Sequence, residues 1–283
     1  MKNFFLLLIL LFLPWICLAE NADLLPVYDD TSGKWGYQDT NGQWRIPPAF
    51  DEADPFLNGY ARVSVNRSEQ PLNHDGIIDS SGSFILPAEY HIYIDDGDVE
   101  TLSGLFGVSL VQENTLFGFF DTKSGVFSGV KWREVLTRMA CDHLVPVLDE
   151  NMRAGYASRT TGELVIPCLY AGVLPGKFSE GIASNVLDEG AEDYILIDET
   201  GTLIPLPEGI TAVYGSVAKD GRIVVQAKET QLYGYADLAG HVVISPRFTQ
   251  ADDFENGTAP VEENGVSFRI DIHGNTVTNE TQP

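Results

Sequence analysis

The chain has 283 residues, with 17 Lys plus Arg against 41 Asp plus Glu and a formal net charge of −24. Such a surface repels phosphate backbones and anionic lipid heads, which argues against nucleic-acid and membrane-surface partners. An acidic coat also keeps exported proteins soluble, so charge alone does not identify a cationic partner.

The first nineteen residues read as a removable signal peptide. Lys2 supplies the positive start, Phe4 to Leu13 is an unbroken apolar run, and Cys17-Leu18-Ala19 places small residues before a cleavage point. The run is too short to span a bilayer. A lipidated Cys17 would need a small residue before it, where Ile16 stands. Cleavage after Ala19 predicts a mature domain of residues 20–283, periplasmic or secreted, with charge 16 − 41 = −25 once Lys2 is lost. No later segment is apolar enough to cross a membrane.

From Lys34 onward one pattern recurs about every forty residues. Its clearest mark is a turn, Asp-x-x-Gly, at Asp39 to Gly42, Asp79 to Gly82, Asp198 to Gly201, Asp237 to Gly240 and Asp271 to Gly274. It is stretched by one residue at Asp121 to Gly125, and at Ser158 to Gly162 with Ser in place of Asp. Asp at the first position accepts hydrogen bonds from the backbone just ahead, and Gly at the end takes the left-handed conformation that closes a hairpin. A short apolar or aromatic strand precedes each turn, often opened by Gly, as in Trp35-Gly36-Tyr37, Gly76-Ile77-Ile78, Gly155-Tyr156 and Tyr233-Gly234-Tyr235. Gly within a strand marks close approach of another backbone or a bulge, and we expect that approach between stacked units. A second strand follows each turn until proline stops it, at Pro47, Pro87, Pro167, Pro205 and Pro246.

A third module reads Phe56-x-x-Gly59-x-Ala61-x-Val63, with sisters from Phe178 through Gly181 to Ala183 and from Phe254 through Gly257 to Val261. Its period of two predicts another strand. The third repeat departs from the pattern. Trp132, Val135, Leu136 and Met139 fall at i, i+3, i+4 and i+7, which predicts one short amphipathic helix over 131–140.

Small antiparallel units of this kind cannot bury both faces alone, so neighbours must stack. The expected fold is all-β, a repeat protein of about seven units of about 38 residues. With no polar capping unit evident at either end, a β-propeller is favoured over an open β-solenoid. The residues from Lys34-Trp35-Gly36-Tyr37 through Ile46-Pro47-Pro48 and Phe50 to Phe56-x-x-Gly59-x-Ala61-x-Val63 resemble the WG-repeat (KWG) family of bacterial proteins. The likeness runs along nearly the whole mature chain. It is close in the first repeat, good in the fourth and sixth, and poor in the second, third and fifth. The resemblance implies a β-repeat scaffold serving binding or interaction, with no shared catalytic residues to carry over.

Chemical signatures are sparse. The chain has no nucleophile elbow, no phosphate-binding Gly-rich loop and no Cys-x-x-Cys, and its five histidines are scattered. No cofactor or metal is implied, and the Asp95 to Glu100 run lacks calcium-loop spacing. Cys141-Asp142-His143 places acid, imidazole and thiol side by side, but strand neighbours point to opposite faces. Cys141 and Cys168 either form a disulfide between adjacent repeats, worth about 3 kcal/mol, or remain two buried thiols. Most aromatics sit at repeat positions and read as packing, which leaves the non-repeat Trp132 and Tyr60 as candidate binding residues. The leading expectation is an exported non-enzymatic scaffold that binds a protein or envelope-glycan partner. The alternative is a glycan- or peptide-directed hydrolase with a carboxylate pair at the mouth of a propeller.

Overall fold

The computed structural model describes residues 24–65, 74–93, 104–110, 116–171, 175–187 and 193–277. The signal-peptide residues and the Asp95 to Glu100 run lie outside these. The described chain is all-β, in antiparallel sheets whose strands follow chain order. The first sheet holds β1 (Leu25–Asp29), β2 (Lys34–Gln38) and β3 (Trp44–Phe50). The second runs β4 (Glu52–Ala53), β5 (Tyr60–Val65), β6 (His74–Asp79), β7 (Phe84–Tyr93), β8 (Leu105–Leu110), β9 (Phe117–Asp121) and β10 (Val126–Phe127). The third is β11 (Glu134–Val135), β12 (Leu144–Leu148), β13 (Arg153–Ser158) and β14 (Leu164–Ala171). The fourth is β15 (Ile182–Asn185), β16 (Ile195–Asp198) and β17 (Leu203–Ile204). Then come β18 (Ile210–Ala212), β19 (Ile223–Ala227), β20 (Tyr233–Ala236) and β21 (Val242–Phe248), and finally β22 (Gln250–Ala251), β23 (Thr258–Glu263) and β24 (Val266–Asp271).

One three-strand meander therefore recurs, as β1-β2-β3, β5-β6-β7, β12-β13-β14 and β19-β20-β21. Its second and third strands are joined by the Asp-x-x-Gly turns read in the sequence. Gly42 N–H donates to the Asp39 carbonyl at 2.9 Å, and the Asp39 carboxylate accepts from Asn41 and Gln43 N–H at 2.9 and 3.0 Å. The same closure repeats at Gly82, Gly201, Gly240 and Gly274, and in stretched form at Gly125 and Gly162. A further copy hides at Asp149 to Met152, where Met152 carries φ 59° and donates to the Asp149 carbonyl.

The recurrent Gly before the aromatic has a local reason. A Cβ on Gly36 would lie 2.6 Å from the Ile46 carbonyl oxygen and 2.7 Å from Pro48 N. On Gly155 it would meet Ile166 O at 2.6 Å and Cys168 N at 2.8 Å. The close approach is made by the bulged third strand of the same meander, not by a stacked neighbour, which corrects the sequence expectation. The following tyrosine turns inward: Tyr37, Tyr156 and Tyr235 are fully buried, and their hydroxyls donate to the carbonyls of Asp54, Gly176 and Asp252 at 2.7–2.8 Å.

Burial occurs between meanders. Tyr37, Ile46 and Phe50 meet Ala61, Val63 and Ile78 of the next meander, whereas Ile77 packs forward onto Phe106, Val108 and Phe120. Phe119, Leu196 and Val225 likewise face a different cluster from their strand neighbours Phe120, Ile197 and Val224. Both faces of an inner sheet are thus dry, which is the nearest-neighbour stacking expected of a repeat protein. Each buried large side chain is worth about 1.5–3 kcal/mol, collected only when the neighbour is in place.

The expected helix over 131–140 is absent. Trp132 bridges to Phe117 of β9, Arg133 N–H donates to Leu148 O at 2.8 Å, and Val135 pairs with Val147 of β12. Only Thr137–Met139 forms a 3-10 turn. A lone three-turn helix is marginal in water, and here the edges of β9 and β12 offer the same backbone groups better partners. Trp132 and Val135 are buried as the spacing required, which suits a strand and a helix equally.

Candidate interaction surface

The turns order the surface. A Cβ on Gly82 would lie 3.2 Å from Ile46 of the preceding meander, one on Gly201 3.0 Å from Ile166, and one on Gly274 3.2 Å from Ile244. Ser124 Oγ donates to Arg159 O at 3.0 Å, linking two consecutive turns directly. The turns therefore form a column along the stack. A second column comes from the Phe-x-x-Gly module, whose Asn58-Gly59, Glu180-Gly181 and Asn256-Gly257 are two-residue hairpins with positive φ at both positions. Asp220-Gly221 is another copy, unseen in the sequence because Ala218 replaces the aromatic. Carboxylates tie these hairpins together, with Glu180 accepting from Gly221 N–H and Asp220 from Gly257 N–H, both at 2.8 Å.

Two and three residues beyond the turn Gly, the third strands β3, β7, β14, β17 and β21 expose apolar side chains. They are Trp44, Phe84 with Ile85, Leu164 with Val165, Leu203 and Val243, between 38% and 56% exposed. Phe127, half-buried against Tyr90, continues the row in between. Exposed apolar residues scattered singly need no explanation, but a row at one repeat position is a surface feature.

Beside this ridge the turn carboxylates stay ionised. The Ser81 hydroxyl holds Asp79 below the usual carboxylate range, Thr200 does the same for Asp198 and Asn275 for Asp271, and the Gln43 N–H lowers Asp39. Several other carboxylates among the described residues are engaged by partners of their own. Asp54 takes Arg62 bidentately at 2.7 and 2.9 Å, and buried Asp75 accepts from Ser64 Oγ at 2.5 Å and Ile92 N–H at 2.9 Å. The buried Arg159 clasps Asp121 through two bonds of 3.1 Å and donates to Cys141 O. It joins the 121–125 and 158–162 turns.

The candidate residues named from sequence are dispersed. Trp132 is 5% exposed and stacks on Phe119, with centroids 5.9 Å apart, so its ring belongs to the core. Tyr60 packs edge-on to Phe120 between meanders. Cys141 and Cys168 are free thiols. Cys141 packs with Leu144 and Tyr156, and Cys168 with Val145 and Ala157, on opposite faces of the β12-β13-β14 sheet. No disulfide spans them. Burial pushes the Cys168 thiol up to about 11. Cys141 and His143 line an open cleft of about 480 Å3, and the Cys141 Sγ accepts from Leu144 N–H. A larger groove of about 750 Å3 lies where the helix was expected, between Tyr93, Phe117, Arg133, Arg138 and Met152. Among the described residues no group of His, Cys, Asp and Glu is placed to hold a metal ion, and no helix is long and apolar enough to cross a membrane.

A family model described as WG containing repeat matches residues 35–67 and 233–266. The chain carries WG-containing repeats. The matched stretches are the ones in which an aromatic, the crowded Gly and the buried Tyr stand together, as Trp35-Gly36-Tyr37 and Tyr233-Gly234-Tyr235. The WG glycine is thus the residue over which the bulged third strand passes. The computationally designed Ika8 protein is similar in structure at TM-score 0.39 and 13% identity, over 91% of this chain and 81% of that one. BamB from Moraxella catarrhalis gives TM-score 0.34 and 12% identity, over 88% of this chain and 82% of that one. No curated protein matches the sequence.

Proposed function

We propose that this WG-repeat protein is an exported, non-enzymatic scaffold that binds a protein or cell-envelope partner. The observation that carries the reading is the contrast between recurring polar and recurring exposed positions. The repeated Asp side chains are spent on their own turns, whereas the exposed repeated positions on the third strands are apolar. A periodic apolar row on an acidic molecule suits a partner that engages several repeats together. Export rests on the Lys2, Phe4 to Leu13 and Ala19 pattern, and N-terminal sequencing of the secreted chain is expected to begin at Glu20. Immobilised mature chain is expected to enrich one envelope component over a control β-protein. Equal recovery from both columns would overturn the binding role.

The finer architecture we propose is an open stack of seven meanders rather than a ring. The outer face of β23 and β24 carries Thr258, Pro260, Glu262, Ser267, Arg269 and Asp271, and Ser267 and Arg269 are exposed. On β2 the corresponding side of the strand bears Lys34, Gly36 and Gln38, and Leu25 of β1 is 55% exposed. The polar outer face of the last unit is the kind that caps an open repeat array, whereas the first unit also exposes Leu25 and Trp44. Hydrogen exchange tests this, with β1–β3 and β23–β24 expected to exchange before the central sheets. Uniform protection along the chain would favour closure.

A further inference from the structure

Resting on the binding-scaffold reading, we propose that the partner is a cationic polypeptide lying lengthwise along the third-strand ridge, with an apolar side chain at about every third residue. The ridge supplies the apolar sites: Trp44, Phe84, Leu164, Leu203 and Val243 stand two or three residues past turn glycines, with half-buried Phe127 holding the place between Phe84 and Leu164. The turn column fixes their order, because the turns at Gly82, Gly201, Gly240 and Gly274 sit on the third strand of the meander before them. The charge beside the ridge is negative. Asp79, Asp198, Glu199 and Asp237 stand on the adjoining turns, and Arg45 next to Trp44 is held on Asp39 at 2.9 Å. A partner with Lys or Arg between its apolar residues complements both rows, and charge of this kind speeds encounter and sets register.

Spacing narrows the partner's conformation. Sheets packed face to face lie about 10 Å apart, so ridge sites on adjacent meanders are expected at about that interval, with Phe84 and Leu164 two intervals apart across Phe127. A polyproline II chain rises about 3.1 Å per residue with three residues per turn, which returns every third side chain to one side after about 9 Å. An alternating β-strand presents every second residue and falls out of step with the ridge. The third strands are also poor templates for an added strand, since Pro47, Pro167 and Pro246 interrupt their backbone donors. Side-chain contact to a solvated, extended chain is the mode we propose.

The test uses the mature chain and synthetic peptides, read by fluorescence anisotropy at two salt concentrations. A peptide of repeated Lys-Lys-Leu is expected to bind at least tenfold tighter than its Leu-to-Ser counterpart, its Lys-to-Glu counterpart, or an alternating Lys-Leu peptide. Affinity is expected to fall as salt rises. The F84S/L164S/L203S variant is expected to lose at least tenfold, while L110S/V266S, exposed apolar positions off the ridge, stays within twofold. Should the triple variant unfold, Leu203→Arg alone serves, and is expected to weaken binding at least threefold by setting a like charge on the ridge. Unchanged affinity in the ridge variants, or equal affinity for the Ser peptide, overturns the proposal. An envelope partner captured equally by wild type and ridge variants would keep the scaffold reading and remove this one. Capture of nothing, with no peptide bound, removes both.

Discussion

Gly234→Ala is the most direct probe of why the WG signature exists. The new Cβ would stand 2.4 Å from Ile244 O, 2.7 Å from Pro246 N and 2.9 Å from Pro246 Cα. All three atoms are backbone, so no side chain can swing aside, and β21 has to move bodily. Overpacking of this kind costs about 1–3 kcal/mol, and the rigid neighbours place it at the upper end. Against that, replacing Gly by Ala restricts the unfolded chain and returns about 0.4–1 kcal/mol. The net expectation is a loss of about 2 kcal/mol, or roughly 4–8 °C in Tm for a domain of this size. Gly257→Ala is the control: nothing lies within 4 Å of its Cβ, but φ is +77°. It is expected to lose about 1–2 kcal/mol from left-handed strain. Asn separates the two causes, since Asn tolerates left-handed backbone and does not relieve crowding. Gly257→Asn should recover most of the loss, whereas Gly234→Asn should be worse than Gly234→Ala. Urea unfolding followed by tryptophan fluorescence measures all four. A Gly234→Ala protein within about 0.5 kcal/mol of wild type, or a Gly234→Asn protein more stable than Gly234→Ala, would refute the bulge-crossing explanation.

Other expectations follow from the same contacts. Arg159→Met leaves buried Asp121 without its guanidinium and is expected to cost about 3–5 kcal/mol, with Asp121→Leu added on top restoring most of it in a double-mutant cycle. An additive cycle would mean that the pair is not coupled. Cys168, its thiol pushed up to about 11, is expected to alkylate several-fold more slowly at pH 8 than the same residue in urea, and intact mass should be the same with and without reductant. Asp39, Asp79, Asp198 and Asp271 have folded pKa values below their unfolded ones. Their contribution is present above the unfolded value near 3.8 and is lost as pH falls through the lower folded values. Thermal melts from about pH 6 to about pH 2 are expected to show this drop, and Asp79→Asn, which keeps a turn acceptor without the proton linkage, should shallow it. A parallel curve would place the acid sensitivity elsewhere.

Much of this fold was legible because its local signals do not depend on distant partners. Asp39 and Gly42 close their turn with atoms of their own five-residue segment, so the sequence states the geometry outright. Met152 hid the same turn, because an Asp with its carboxylate in place can hold even a non-Gly residue at φ 59°. Residues 131–140 failed for the opposite reason. Their spacing is satisfied by a helix or by short strands, and the choice was made by the free edges of β9 and β12, which no local window contains.

The surface was harder to read than the core, and the cause is the repeat itself. In a sequence, Phe84, Leu164 and Leu203 look like any apolar residues in a strand and are assigned to packing by default. Beside Phe84 and Leu164 a bulge adds a further exposed apolar residue, Ile85 or Val165, that strand alternation alone does not predict. Ile78 pairs with Phe84 and Ile77 with Leu86, so two residues of β6 oppose three of β7, and the surplus residue is turned outward. A second register shift lies on the other side of Ile77, where Gly76 lets Leu86 O approach closely. In the bulged meanders the crowded glycine and the exposed Ile85, Val165 and Val243 therefore belong to one irregular stretch of backbone, whereas Leu203 is exposed on a strand paired without a bulge. A substitution that flattened such a bulge is expected to cost stability and to turn Ile85, Val165 or Val243 away from the surface, which ties part of the interaction surface to the fold through one backbone feature.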